Sequence, residues 1–306
     1  DAPAVWGEGG GFISLNGENI NINAKNYGLI AFSGSELNVN GNLVVNVVNA
    51  KNAIDTRGNA IININTDGKH TTVLNGDIVF ETPYTENGSI INSNININLS
   101  GEESSWTGRA YQEYNVKNES GRYELIYSVE LAAPKDYGNV TGFKMNINNG
   151  ASWNMTDDSF INNITVENGG VVNVQENVKA FNVGTAADKG GITLNNGIIN
   201  LQGENQQITV TELDGTGGTV NTNSLYNKMN IKNVDEDTAI TVNSSGEIAD
   251  AIYGGDATAQ DLADVVTTGT GNSEKSAASQ ITTDEGIIAG KITADVKDGE
   301  VTNYTV

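Results

Sequence analysis

The sequence of 306 residues contains no cysteine. That excludes disulfides, zinc–thiolate sites, iron–sulfur clusters and thiol nucleophiles at once, so the fold has to be held by hydrogen bonding and stacking. It also suits a chain that crosses a membrane unfolded, which then has no thiols to pair too early. Histidine occurs once, as His70 in "TDGKHTT". A zinc site or a histidine base lacks its partners, and beside Asp-Gly this residue reads as part of a turn. Aromatic residues are 6% and apolar residues 37% of the chain, lean for a thick globular core but enough for thin layers stacked around a narrow apolar column. Basic residues are also scarce, 16 against 38 acidic ones, for a net charge of −22. Nucleic acid, heparin-like polymers and anionic lipid are repelled by such a chain, whereas a neutral glycan, a basic protein surface or a cation is not. No apolar run reaches the roughly 18 residues of a membrane span. The N-terminal "DAPAVWGEGG" lacks a basic and apolar leader, as a mature end or the boundary of a longer chain would.

What the sequence has in plenty is short alternation. "FISLNG", "NININ", "LNVNGNLVVNV", "IININ", "GDIVF" and "NININLS" fill the first hundred residues with apolar side chains at every second position, the period of a strand with one buried face. Amphipathic helix patterning is missing there. The spacers are Asn-Gly, Ser-Gly, Asp-Gly or Asn-Ala-Lys-Asn, residues that accept left-handed backbone and bond to their own turns. Strands this short, with corners this short, predict an all-β fold of the parallel β-helix type. Ile61, Ile78 and Ile95, seventeen residues apart, are the apolar landmarks expected to stack in line from coil to coil. Asparagines at outward positions would form ladders along the axis, bonded amide to amide at the spacing of about 4.8 Å between strands. A β-sandwich shares the strand pattern but favours longer hairpin strands and more aromatic filling.

The texture changes between residues 101 and 140, where Trp106, Tyr111, Tyr114, Tyr123, Tyr127 and Tyr137 gather. A protruding loop or hairpin is predicted there, its aromatics either closing a small core of their own or facing a ligand. Alternation resumes at Phe143. The solenoid is expected to fill residues 1–245, and residues 246–306, with helical spacing around Ala257, Leu262 and Val265, to cap or link its end.

Sites for chemistry are hard to find. "GEGGGF" has no lysine-serine tail or following helix to cradle phosphate, no GxSxG elbow occurs, and calcium-binding GGxGxD repeats are absent. Asp157 and Asp158 in "TDDS" invite comparison with glycosidase carboxylates. As neighbours in one strand, however, they would point to opposite faces, and the nearest basic residues in sequence are Lys144 and Lys179. A corner between two strands accounts for them better. No catalytic residue, metal site or cofactor is predicted.

"NGASWNMTDDSFINNITVENGGVVNV" resembles the repeated signature of bacterial autotransporter passenger domains: a tryptophan after a small residue, a Thr-x-Asp-Ser turn, an Asn-Asn-hydrophobic strand and a Gly-Gly-Val-Val-Asn-Val strand. "LSGEESSWTG" is similar to an earlier copy, and "ITVTELDGTGGTVNTN" is similar to the segment leading into the passenger's C-terminal stabilising region. The match covers roughly residues 94–245. It implies a right-handed parallel β-helix exported across the outer membrane by the type V route, with a C-terminal β-barrel translocator that would lie outside this chain. It further implies a cell-surface adhesin or autoaggregation protein whose partner is a host or bacterial surface protein, a neutral glycan or another copy of itself. On that expectation Tyr111, Tyr114 and Tyr123 are candidate stacking groups and Glu102, Glu103 and Glu113 candidate charge selectors, while Trp106 belongs to the signature and so to the core. The alternatives are a β-helical carbohydrate-active enzyme, either glycoside hydrolase or polysaccharide lyase, and a trimeric stalk or scaffold.

Overall fold

The computed structural model describes residues 2–49, 51–81, 84–87, 89–117, 123–128, 142–184, 190–235, 237–268, 275–283, 286–291, 293–297 and 300–305. The chain winds into a parallel β-helix in which each turn contributes strand segments to three faces. β1 (Val5–Gly7) opens face one. β2 (Phe12–Ala24) runs across faces two and three, bending near Gly17, and β3 (Leu29–Ala31) returns to face one above β1. β4 (Glu36–Val47) then lies in parallel over β2. Face one continues through Asn52–Thr56, Asp77–Glu81 and Ala110–Lys117, and after the Phe143 coil resumes with Ser159–Ile161 and Ala180–Val183. Face two continues through Ile61–Ile64, Asn94–Ser100, Phe143–Asn148 and Asn163–Glu167. Face three takes Thr72–Asn75, Ser105–Gly108, Ser152–Met155, Val171–Val174, Ile198–Leu201 and later strands to Gln280–Thr283.

Alternation decides which side chains enter the core. β4 alternates half-exposed with buried along most of its length, and the inward residues stack in columns. One column on face three runs Ile22, Val45, Leu74, Trp106, Trp153, Val172, Ile199, Val220, Val242, Ile281. Each member between Ile22 and Ile281 is covered by the turns before and after it, so its burial comes from neighbours along the axis. Trp106 is fully buried as expected, its ring 4.4 Å from that of Trp153 and nearly parallel to it. Their indole N–H groups donate to the carbonyls of Gly76 and Gly108 at 2.9 and 3.0 Å. Gly108 sits at φ 157°, where an added Cβ would stand 2.2 Å from the Gly76 carbonyl oxygen, so the indole ladder requires glycine at this rung. Several corners between faces two and three are turned by asparagine in the left-handed region, with φ of 55°, 50° and 52° at Asn149, Asn168 and Asn196.

The register corrects the expected landmarks. Ile95 stacks on Ile62, with Leu37 and Phe143 in the same line; Ile61 points outward; Ile78 belongs to face one, in line with Leu29, Ile54 and Ala110. Seventeen residues span only part of a turn, and because all three faces alternate with the same period, spacing alone does not tell one from the next.

Two further expectations shift. Residues 101–113 lie largely in the wall of the solenoid, as Ser105–Gly108 and the start of Ala110–Lys117, and the excursion is an antiparallel hairpin of Ala110–Lys117 with Tyr123–Ser128 that departs from the end of that wall. Past residue 245 come α1 (Gly246–Gly254) and α2 (Ala259–Ala263), the latter started by a Thr258–Asp261 capping box, but the solenoid itself continues. Val266–Thr268 and Gln280–Thr283 add to faces one and three, and Gly286–Lys291 then pairs antiparallel with Gln280–Thr283.

Candidate binding surface

Of the six residues singled out by sequence, Glu102 and Glu103 are exposed in the corner before Ser105–Gly108. Tyr111 is packed into the wall: it is 8% exposed, its hydroxyl bonds to Asn52 Oδ1 at 3.1 Å, and the Arg109 guanidinium lies 4.5 Å from its ring centre. Glu113 is 1% exposed. Tyr114 and Tyr123 occupy backbone positions in the two hairpin strands, and their side chains lie outside the described residues. The structure therefore does not bring the six together as one surface, because Tyr111 and Glu113 pack in the wall of face one.

Around Glu113 is an ionic cluster that sequence reasoning missed. Arg57 holds Asp55 through two bonds of 3.1 and 3.0 Å and touches Glu113 Oε2 at 2.6 Å, while its guanidinium carbon lies 5.2 Å from the Phe32 ring centre. Glu81 is the strand neighbour of Glu113 and accepts the Gly58 N–H at 2.7 Å. Asp55 and Glu113 thus share one guanidinium, with the buried Glu81 carboxylate beside them. Neither oxygen of Glu113 accepts a well-formed hydrogen bond. Burial pushes its acid up from 4.5 to about 7, against the pull of Arg57 and with help from Asp55 and Glu81. Arg57 and Glu113 are 56 residues apart in the chain, so only the coil register reveals the pairing. Among the described residues no group of three histidine, aspartate or glutamate side chains is arranged to hold a metal ion.

Asp157 and Asp158 occupy the corner between Ser152–Met155 and Ser159–Ile161. Asp157 meets Arg109 at 3.3 Å, and Arg109 also reaches Asp77 at 3.2 Å. Burial raises the Asp77 acid above its ordinary value, more than Arg109 lowers it. Asp158 accepts the N–H groups of Lys179 and Ala180 at 2.7 and 2.8 Å, which ties one corner to the next. Both carboxylates are engaged in joining turns, and the basic partner comes from the preceding coil rather than from nearby sequence.

Among the described residues the outside of face three carries two continuous outward lines. One outward line runs Asn23, Asn46, Asn75, Thr107, Asn154, Asn173, Asn200, Asn221, Asn243, Thr282. Asn46 donates to Asn23 and Asn75 to Asn46 at 3.1 and 2.7 Å. Beyond Thr107 the amides of Asn173, Asn200, Asn221 and Asn243 each donate to the rung before, at 2.8, 2.7, 2.7 and 3.0 Å, and Thr282 donates to Asn243 at 2.8 Å. The adjacent outward line is Asn21, Val44, Val73, Ser105, Ser152, Val171, Ile198, Thr219, Thr241, Gln280. Neither line contains an ionisable side chain, although the chain carries a net −22. Face two, by contrast, presents Glu36, Lys144 and Glu167. A shallow groove of about 330 Å³ follows Asn200, Asn221 and Asn243 at the margin of face three, beside Gln202, Asn223 and Ser245.

No protein-family model, no curated protein and no solved structure matches the chain.

Proposed function

We propose that the chain is the β-helical passenger of an autotransporter, displayed at the cell surface, and that it acts as an adhesin or drives autoaggregation through face three. The observation that carries this is the uncharged strip, ten turns long, on a strongly acidic chain. Stacked carboxamides present N–H donors and carbonyl acceptors at intervals of about 4.8 Å. Each bond to a neutral partner contributes only about 1 kcal/mol net, so affinity depends on how many rungs engage together. A neutral surface glycan, an uncharged protein face or a second copy fits this chemistry. Two acidic copies also meet with the least repulsion where both lack charge.

The test is a triple substitution, Asn173→Asp, Asn200→Asp and Asn221→Asp, in the displayed chain. Cell attachment and autoaggregation should fall sharply while the far-UV spectrum stays that of a β-helix. Unchanged attachment by a folded variant would refute the role of face three. Association between parent copies should strengthen as salt rises, because repulsion is screened over about 8 Å at physiological ionic strength. Weakening with salt would contradict it.

A further inference from the structure

The longest unbroken asparagine run on face three is Asn154, Asn173, Asn200, Asn221 and Asn243, with Thr107 on the turn before it and Thr282 on the turn after. A carboxamide has two N–H donors and two lone pairs on its oxygen. In Asn173, Asn200 and Asn221 the ladder uses one of each, since every amide donates to the rung before and accepts from the rung after. One N–H and one lone pair are left over on each, in the plane of the same amide. The ladder holds the amides alike, so this pair repeats about every 4.8 Å along the axis.

A second uncharged line, Gln202, Asn223 and Ser245, flanks Asn200, Asn221 and Asn243 two residues further along each turn, and the groove of about 330 Å³ lies between them. Side chains two residues apart on a strand stand about 7 Å from each other, so the two lines bound a trough that runs parallel to the axis. It admits a single extended chain but not an α-helix, which measures about 10 Å across. An extended polypeptide repeats its same-side groups about every 6.8 Å and falls out of step with the rungs.

We propose that the partner of face three is a neutral polysaccharide of β-1,4-linked pyranose rings, laid along the axis in this trough. The proposal rests on the adhesive reading of that face and names its ligand. A β-1,4-linked chain is straight, and each ring with its bridging oxygen advances it by about the spacing of one rung. Its hydroxyls are donors and acceptors at once, which is what the N–H and lone pair left on each amide require. The ladder bonds hold the amides in place before the ligand arrives, so little side-chain freedom is lost on binding. Charge points the same way: a polyanionic glycan and a second copy of the chain are both repelled by the net −22, and a neutral polysaccharide is not. Neither line of the trough carries an aromatic side chain, so no single ring is gripped and affinity has to accumulate along the ligand.

Calorimetric titration of the whole 306-residue chain with cello-, manno- and N-acetylated chito-oligosaccharides of two to six rings tests this. At least one series should bind, its affinity rising about tenfold or more from two rings to five and changing little at six, where the asparagine run ends. Asn221→Thr removes one amide from the trough and leaves an uncharged β-branched residue, as at Thr107 and Thr282; it should weaken the five-ring ligand about tenfold with an unchanged far-UV spectrum. Asn96→Thr makes the same change in the face-two ladder, where Asn96 donates to Asn63 at 2.8 Å, and should leave binding as it was. No binding in any of the three series overturns the proposal, and so does an affinity indifferent to chain length or an equal loss in both variants. If the triple substitution of face three abolishes cell attachment while none of the oligosaccharides binds, the adhesive reading stands and the polysaccharide is not its ligand. If the oligosaccharides bind as expected while attachment survives the triple substitution, the trough stands and the adhesive reading falls.

Discussion

Glu113→Gln tests the buried ionic cluster. In the folded chain the Glu113 acid stands at about 7 rather than 4.5, because it is desolvated, shares Arg57 with Asp55 and feels the like charges of Asp55 and Glu81. Between pH 4.5 and pH 7 the folded state therefore holds a proton that the unfolded state has released. Stability must fall as pH rises through this window and level off above it. A displacement of this size corresponds to about 3 kcal/mol at most, and water reaching the cluster reduces it. Glutamine preserves the shape of the neutral acid and cannot ionise, so the variant should equal the parent near pH 4.5 and exceed it by about 2 kcal/mol at pH 8. Urea unfolding followed by circular dichroism at a series of pH values reads the difference. Asp77 and the general self-repulsion of an acidic chain act on both proteins alike and cancel. Parallel curves, or a variant less stable than the parent at pH 8, would show that Glu113 is ionised in the fold and that the burial argument fails.

Two further outcomes follow from the side-chain ladders. Asn65 is fully buried and bonds both backbone groups of Gly41 and the Thr72 hydroxyl, so Asn65→Ala should lower unfolding free energy by about 2–4 kcal/mol, the cost of leaving buried groups unpaired. Equal stability in a denaturant titration would mean that water replaces all three bonds. Thr107 interrupts the face-three line between Asn75 and Asn154, and Thr107→Asn should restore it with two bonds of about 1 kcal/mol each. Set against up to about 1 kcal/mol of strand preference lost with threonine, a net gain of about 1 kcal/mol is expected, and a destabilised variant would show that the rungs there are out of register.

Much of this architecture is written in local pattern. Alternation around Leu37 to Val47 and Ile61 to Asn65 predicts one-sided strands, the outward asparagines predict ladders, and "TDDS" behaves as a corner. Register is not legible, since the turns are unequal. Ser152 and Val171 are neighbours 19 residues apart, whereas Val73 and Ser105 are 32 apart and Ser105 and Ser152 are 47. Whatever depends on register was hidden with it. The Arg57–Glu113 contact joins residues from different coils, and Tyr111, which looks like a free aromatic in a polar stretch, packs under Arg109 against Asn52. The uncharged strip is hidden for a different reason: acidic residues occur throughout the sequence, and their absence from one face appears only when the turns are laid over one another.

The placement of the aromatic residues shows how a thin solenoid tolerates an interruption. Between Ala110–Lys117 and Phe143–Asn148 the chain leaves the coil, and a turn that resumes so late has lost the close covalent link to the turn before it. Closing a longer loop adds little entropy cost, about 0.6 kcal/mol for each doubling, but the two turns still need a reason to dock in one register. The buried rings supply it. Phe80 contacts Phe143 and Phe160, Trp106 contacts Phe143 and Trp153, and Trp153 contacts Phe181, so one aromatic cluster reaches from the turn before the excursion to those after it. Elsewhere the columns are mainly aliphatic, as at Val242 on Ile281, where the two helices intervene between the stacked turns. Large rings, with directed indole bonds to Gly76 and Gly108, fix both spacing and register at the point where chain connectivity does least.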